Sequence, residues 1–117
     1  MHELSIARHA VELAAEQVRA AGYDRAAGIT LRIGALTCVH KDALEFSFEV
    51  AARGTPLEGA RLVIEELPVA IFCAACGETV ELPGIQALRC PRCGAPSADV
   101  RQGDELELWS LEFSEES

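Results

Sequence analysis

The segment from Cys73 to Gly94 reads CAACGETVELPGIQALRCPRCG: two CxxC pairs, thirteen residues apart, each followed at once by glycine. Two residues between thiols let each pair chelate from a tight turn, and the glycine lets backbone amides approach the sulfurs. Cys73, Cys76, Cys90 and Cys93 together fill a tetrahedral shell and leave no position for water or substrate, so the ion they imply is a structural Zn(II), not a catalytic one. Iron, as in rubredoxin, fits the same four sulfurs and is the competing metal. The cysteine count is odd, with Cys38 the fifth. The N-terminus turns amphipathic directly after His2 and Glu3, without a basic and apolar leader. A cytoplasmic setting with reduced thiols is therefore expected, and paired spacing there signals metal rather than disulfides.

Around the cysteines, Pro83, Gly84, Pro91, Gly94 and Pro96 punctuate a stretch with few large apolar residues, which predicts an inserted zinc-binding domain at 71–98 held together by its metal. The flanking segments, 1–70 and 99–117, carry the periodic patterns of an α/β domain. Leu4, Ala7, Val11, Ala14, Val18 and Ala21 recur at helical spacing, with Arg8, Glu12, Glu16 and Arg19 opposite, and Gly22 stops the helix. A loop over 23–28 leads to a strand in which Ile29, Leu31 and Ile33 alternate with Thr30 and Arg32. A second helix is expected over about 41–53, with Leu44, Phe48 and Ala51 on one stripe. Strands follow at 61–67 and 105–113, and in the latter the apolar phase slips between Leu108 and Trp109, as a bulge or two-sided burial would produce. The fold class is α+β: a three-stranded sheet with two helices, plus an inserted zinc-ribbon-like lobe.

Charge removes several function classes. The net charge is −9, with seven acids and six bases over residues 1–53 but twelve and four over 54–117. Such a surface repels phosphate backbones and acidic lipid, so neither nucleic acid nor membrane is an expected partner. The longest apolar run, Val69 to Cys76, is far short of the roughly 20 residues of a membrane span. A closed metal and scattered histidines offer no nucleophile–base pairing, so catalysis is not expected.

Met1-His2-Glu3 places an α-amine, a backbone amide and an imidazole in succession, so that one cation can close adjacent chelate rings on three nitrogens. The fourth position is open to the Glu3 amide nitrogen, its carboxylate or a partner. Nitrogen-rich square-planar coordination suits Ni(II) or Cu(II). Beyond this opening tripeptide, several segments carry a family resemblance: Leu4-Ser5, Arg32-Ile33-Gly34-Ala35-Leu36, Leu44 with Phe46 and Phe48, Gly54-Thr55, Glu65-Glu66, the two CxxC pairs and Gly103-Asp104-Glu105-Leu106. In order and spacing they resemble the HypA family of nickel metallochaperones for [NiFe]-hydrogenase maturation. Lys41-Asp42 departs from the Pro-Glu frequent there, without touching a ligand.

The resemblance implies a nickel-binding lobe built from both chain ends, with His2 the principal ligand, the Met1 amine and main-chain nitrogens contributing, and Glu3 ligating or orienting the site. It implies Ni(II) as transferable cargo. The partners it implies are a HypB-type nickel-handling GTPase, the hydrogenase large-subunit precursor and urease maturation proteins. Monomer and homodimer stay open. The readings set against it are a zinc-ribbon interaction module without nickel transfer and a rubredoxin-like electron carrier. Cys38 and His40, two apart, read as a buried thiol beside a helix start, His9 as a surface histidine, Trp109 as a core or interface residue, and the acidic 114–117 tail as disordered.

Overall fold

The computed structural model describes residues 3–85 and 87–113. Helix α1 (Glu3–Ala20) buries Ile6, Ala7, Ala10, Val11, Ala14, Ala15 and Val18. Its buried face is rich in alanine, and the small side chains let α1 lie close to α2 (Lys41–Ala52), which buries Leu44, Phe48 and Ala52. Gly22, at φ +84°, donates to the Arg19 carbonyl while the Tyr23 N–H reaches back to Val18, the paired closure of a helix that ends in a left-handed glycine.

Between the helices run strand β1 (Ala26–Gly34) and a 3-10 turn at Ala35–Thr37. Then come β2 (Arg61–Leu67), β3 (Ala70–Cys73), β4 (Glu78–Glu81), β5 (Val100–Gln102) and β6 (Leu106–Phe113). They form two three-stranded sheets, in the orders β2-β1-β6 and β4-β3-β5. The first is the expected sheet. Its β1 starts three residues earlier than the alternation at Ile29 suggests, because the Ala26 N–H is already bonded to the Pro56 carbonyl.

On strand β6, side-chain contacts bear on the expected break in phase and on the placement of Trp109. The Arg32 guanidinium stands 3.5 Å from the Trp109 ring centroid and its Nη2 lies 3.1 Å from Glu65, while Arg61 pairs with Glu112 at 2.8 Å. Arg61 and Glu65, four apart, share one face of β2, so Trp109 and Glu112 share the matching face of β6 although they are three apart in the sequence. Strict alternation would put them on opposite faces, so these contacts are consistent with a bulge between them. Trp109 is thus not a core residue: it is 53% exposed, with its ring covered by a cation.

The second sheet corrects the expectation that metal alone organises the cysteine region. β3 pairs antiparallel with β4, Ile71 opposite Val80, and with β5, Ile71 opposite Val100. Val69, Ile71, Val80 and Leu82 are buried together with Cys73 and Cys90, and Leu36, Leu88, Ala95 and Val100 pack against them. Chain contacts divide the protein into two units. One comprises residues 1–32, 39–65 and 107–117; the other comprises 33–38 and 66–106. The cysteine-bearing unit therefore reaches well past 71–98, because β5 and the turn after β1 are tied into it.

That tie is a backbone crossing. The Gly34 N–H donates to the Glu105 carbonyl and the Leu36 N–H to the Gly103 carbonyl, at 2.8 and 2.7 Å. A Cβ on Gly34 would overlap the Gly103 carbonyl, and Gly103 itself sits at φ +123° against Val69.

Candidate metal centres

The two CxxC pairs are built alike. After each, the glycine takes a left-handed conformation (Gly77 φ +71°, Gly94 φ +77°), and its N–H returns to the carbonyl of the first cysteine, Gly77 to Cys73 and Gly94 to Cys90, both at 2.8 Å. Each turn so closed presents two sulfurs on one side. The strands then aim one turn at the other: Cys73 ends β3, and the second turn is fastened by the Arg89–Pro96 bridge, by Ser97 N–H to the Leu88 carbonyl, and by Ser97 Oγ donating to the Phe72 carbonyl.

The four Sγ atoms lie within 4.8 Å of one another, with Cys73–Cys93 at 3.5 Å and Cys76–Cys90 at 3.9 Å. A tetrahedron of sulfurs about 2.3 Å from a central zinc has edges of about 3.8 Å, so the donor set fits a tetrathiolate ion. The electrostatics agree. Cys90 is drawn down to about 7, chiefly by the Cys93 N–H, with the Arg92 N–H adding to it. Cys76 is pushed up to about 12 by its neighbours Cys93 and Cys73, since a further thiolate would set like charges side by side. A divalent cation at the centre resolves that conflict. Cys73 and Cys90 are buried and Cys76 and Cys93 exposed, so the cluster sits at the surface with one side sealed.

Met1 and His2, the main candidates for nickel, lie outside the described residues, as do 114–117. Glu3 opens α1, and its Oε2 accepts the His40 N–H at 3.2 Å. That bond is the first cause holding its carboxyl below the ordinary value. His40 is the N-cap of α2 and supplies no side-chain cap of its own. The carboxylate therefore does from α1 what a capping box assigns to the third residue of the helix, here Ala43. The sequence signal was available: none of Ser, Thr, Asp or Asn stands at position 40. Cys38, expected to be buried, is exposed and adopts φ +56° where the 3-10 turn ends.

Two helices with a small sheet, and a second sheet carrying four thiols placed to hold a structural metal, define an α+β metal-site protein. Residues 1–113 match the family described as hydrogenase/urease nickel incorporation, metallochaperone, HypA. The hydrogenase maturation factor HypA of Chloroflexus aurantiacus is 52% identical over 112 residues, covering 96% of this chain and 98% of that one. Its counterpart from a Roseiflexus species is 47% identical over 117 residues, covering 100% and 95%. The solution structure of the nickel metallochaperone HypA from Helicobacter pylori shares the fold, with a TM-score of 0.69 at 23% identity and 97% of each chain covered. The chain belongs to the HypA family. No helix among the described residues is long and apolar enough to cross a membrane.

Proposed function

We propose that this protein is a nickel metallochaperone that binds Ni(II) at its N-terminus and delivers it to the [NiFe]-hydrogenase large-subunit precursor. Membership of the nickel-incorporation family over residues 1–113, a span that includes the opening Met-His-Glu, carries the reading. The His2 imidazole is the principal ligand, with the Met1 amine and the main-chain nitrogens of His2 and Glu3 completing a nitrogen-rich plane suited to nickel. The Glu3 carboxylate, engaged with the His40 N–H, supports an orienting role in preference to direct ligation. Cys73, Cys76, Cys90 and Cys93 hold a resident Zn(II) that folds the second unit and takes no part in transfer. A HypB-type GTPase is the proposed partner in nickel handling.

A carrier has to hold its ion against adventitious ligands and still release it, and a terminal site with a single side-chain ligand meets both needs. The divalent affinity order favours copper at such nitrogens, so selectivity rests on metal availability and partners. Equilibrium dialysis of zinc-loaded protein with an unblocked N-terminus is expected to give one nickel per chain. His2→Ala is expected to abolish that uptake while zinc content stays unchanged. Equal nickel uptake by the two proteins would overturn the proposal, and a red, iron-bearing protein as purified would favour the electron-carrier alternative.

A further inference from the structure

With no candidate metal ligand in its lining, an open groove of about 720 Å³ is enclosed by α2 and the loop leading into β2. Phe46, Phe48 and Leu57 supply apolar surface, and Glu45, Glu49 and Glu58 supply acid along it. Leu57 and Phe48 are buried, which makes them floor, but Phe46 is 69% exposed, a whole aromatic ring left to water. Packing of the helix does not explain it: the buried stripe of α2 is Leu44, Phe48 and Ala52. A large uncovered aromatic beside a concave surface of mixed apolar and acidic lining is a candidate anchor for a partner.

The wall opposite α2 is pre-formed. Thr55, Glu58 and Ala60 N–H groups close successive turns onto the Ala52, Thr55 and Leu57 carbonyls. Thr55 Oγ1 donates to Ala52 O, the Glu58 carboxylate accepts the Gly54 N–H, and Arg25 holds the Glu58 carbonyl at 2.8 Å. Binding there needs little ordering of the receptor, which favours affinity.

Charge selects the occupant. Glu45 and Glu49 are one turn apart on the exposed side of α2, and among the described residues neither carboxylate has a basic group within ion-pair distance. Arg53 is the single base lining the groove. We propose that this groove docks a basic amphipathic helix of another protein, its apolar face on Phe46 and its Lys or Arg residues over Glu45 and Glu49. The surface is independent of the nickel reading: it uses no metal ligand and predicts binding with or without nickel.

The probe is a fluorescein-labelled amphipathic peptide of leucines and lysines, titrated with the full chain and read by anisotropy beside a leucine–glutamate counterpart. The basic peptide is expected to bind and the acidic one to fail. Phe46→Ala leaves charge untouched and is expected to weaken binding roughly tenfold or more. Glu45→Gln with Glu49→Gln is expected to lower affinity and flatten its salt dependence. In both variants nickel uptake and the thermal transition are expected to match those of the parent, so failure here is separable from failure of the nickel proposal. Indifference of the basic peptide to Phe46→Ala, or equal binding of the acidic peptide, overturns the assignment. So does a concentration-dependent dimer in sedimentation that Phe46→Ala dissolves, since a second copy would then be the occupant.

Discussion

Gly34 shows how much can rest on a missing methyl group. Its sequence context, after an alternating strand, reads as a strand end, and β1 does end there. Its larger role is contact: the Gly103 carbonyl passes where a side chain would stand, and Gly103 in turn needs its φ of +123° to lie against Val69. Neither chain segment can retreat without losing the Gly34–Glu105 and Leu36–Gly103 hydrogen bonds. Gly34→Ala is accordingly expected to destabilise the protein by about 3 kcal/mol, at the upper end of overpacking effects, read as a lower denaturant midpoint. Gly22→Ala strains only the left-handed φ in open space and is expected to cost about 1 kcal/mol. Equal midpoints for the two variants would remove the crossing as the explanation.

At the scale of elements, helix faces and the cysteine turns were legible because each is decided within a few residues: alanine and valine recurring at helical spacing, CxxC with glycine behind it. What escaped was set by distant partners. The β4-β3-β5 sheet depends on Ile71 finding Val80 and Val100, strands of three or four residues whose apolar content is too small to register as periodicity. Trp109 faces outward because Arg32 and Glu65 wait across the sheet. Helix α2 likewise takes its cap from Glu3, thirty-seven positions away. Because that bond lowers the folded-state value of the carboxyl, its contribution is complete above the ordinary value of 4.5 and is lost as pH falls through the lowered folded value. Hydrogen exchange, corrected for intrinsic rates, is therefore expected to show the His40 amide protected at neutral pH and released by Glu3→Ala, the two proteins converging in strong acid. The same protection in both at neutral pH would show that another group caps α2.

For the molecule as a whole, the question is what each unit relies on for its stability. Residues 1–32, 39–65 and 107–117 contain both helices and most of the large buried side chains, among them Ile29, Leu31, Leu44, Phe48 and Leu57. The unit of 33–38 and 66–106 has Val69, Ile71, Val80 and Leu82 around two cysteines. With Ile33 these make five buried aliphatic side chains, at about 2 kcal/mol each, a small return for ordering so long a stretch, whereas a structural tetrathiolate metal such as zinc is worth on the order of 10 kcal/mol. Chelation at neutral pH is thus expected to strip amide protection from β3, β4 and β5 first, with α1 and α2 keeping theirs. The emission of Trp109, which belongs to the first unit, is expected to hold steady over the same interval. Simultaneous loss of protection in α1 and β3 would mean that the metal of the four thiols supports one cooperative fold. Retention everywhere after complete metal removal would mean that the small aliphatic cluster suffices, and the ribbon would then need another reason for its four thiols.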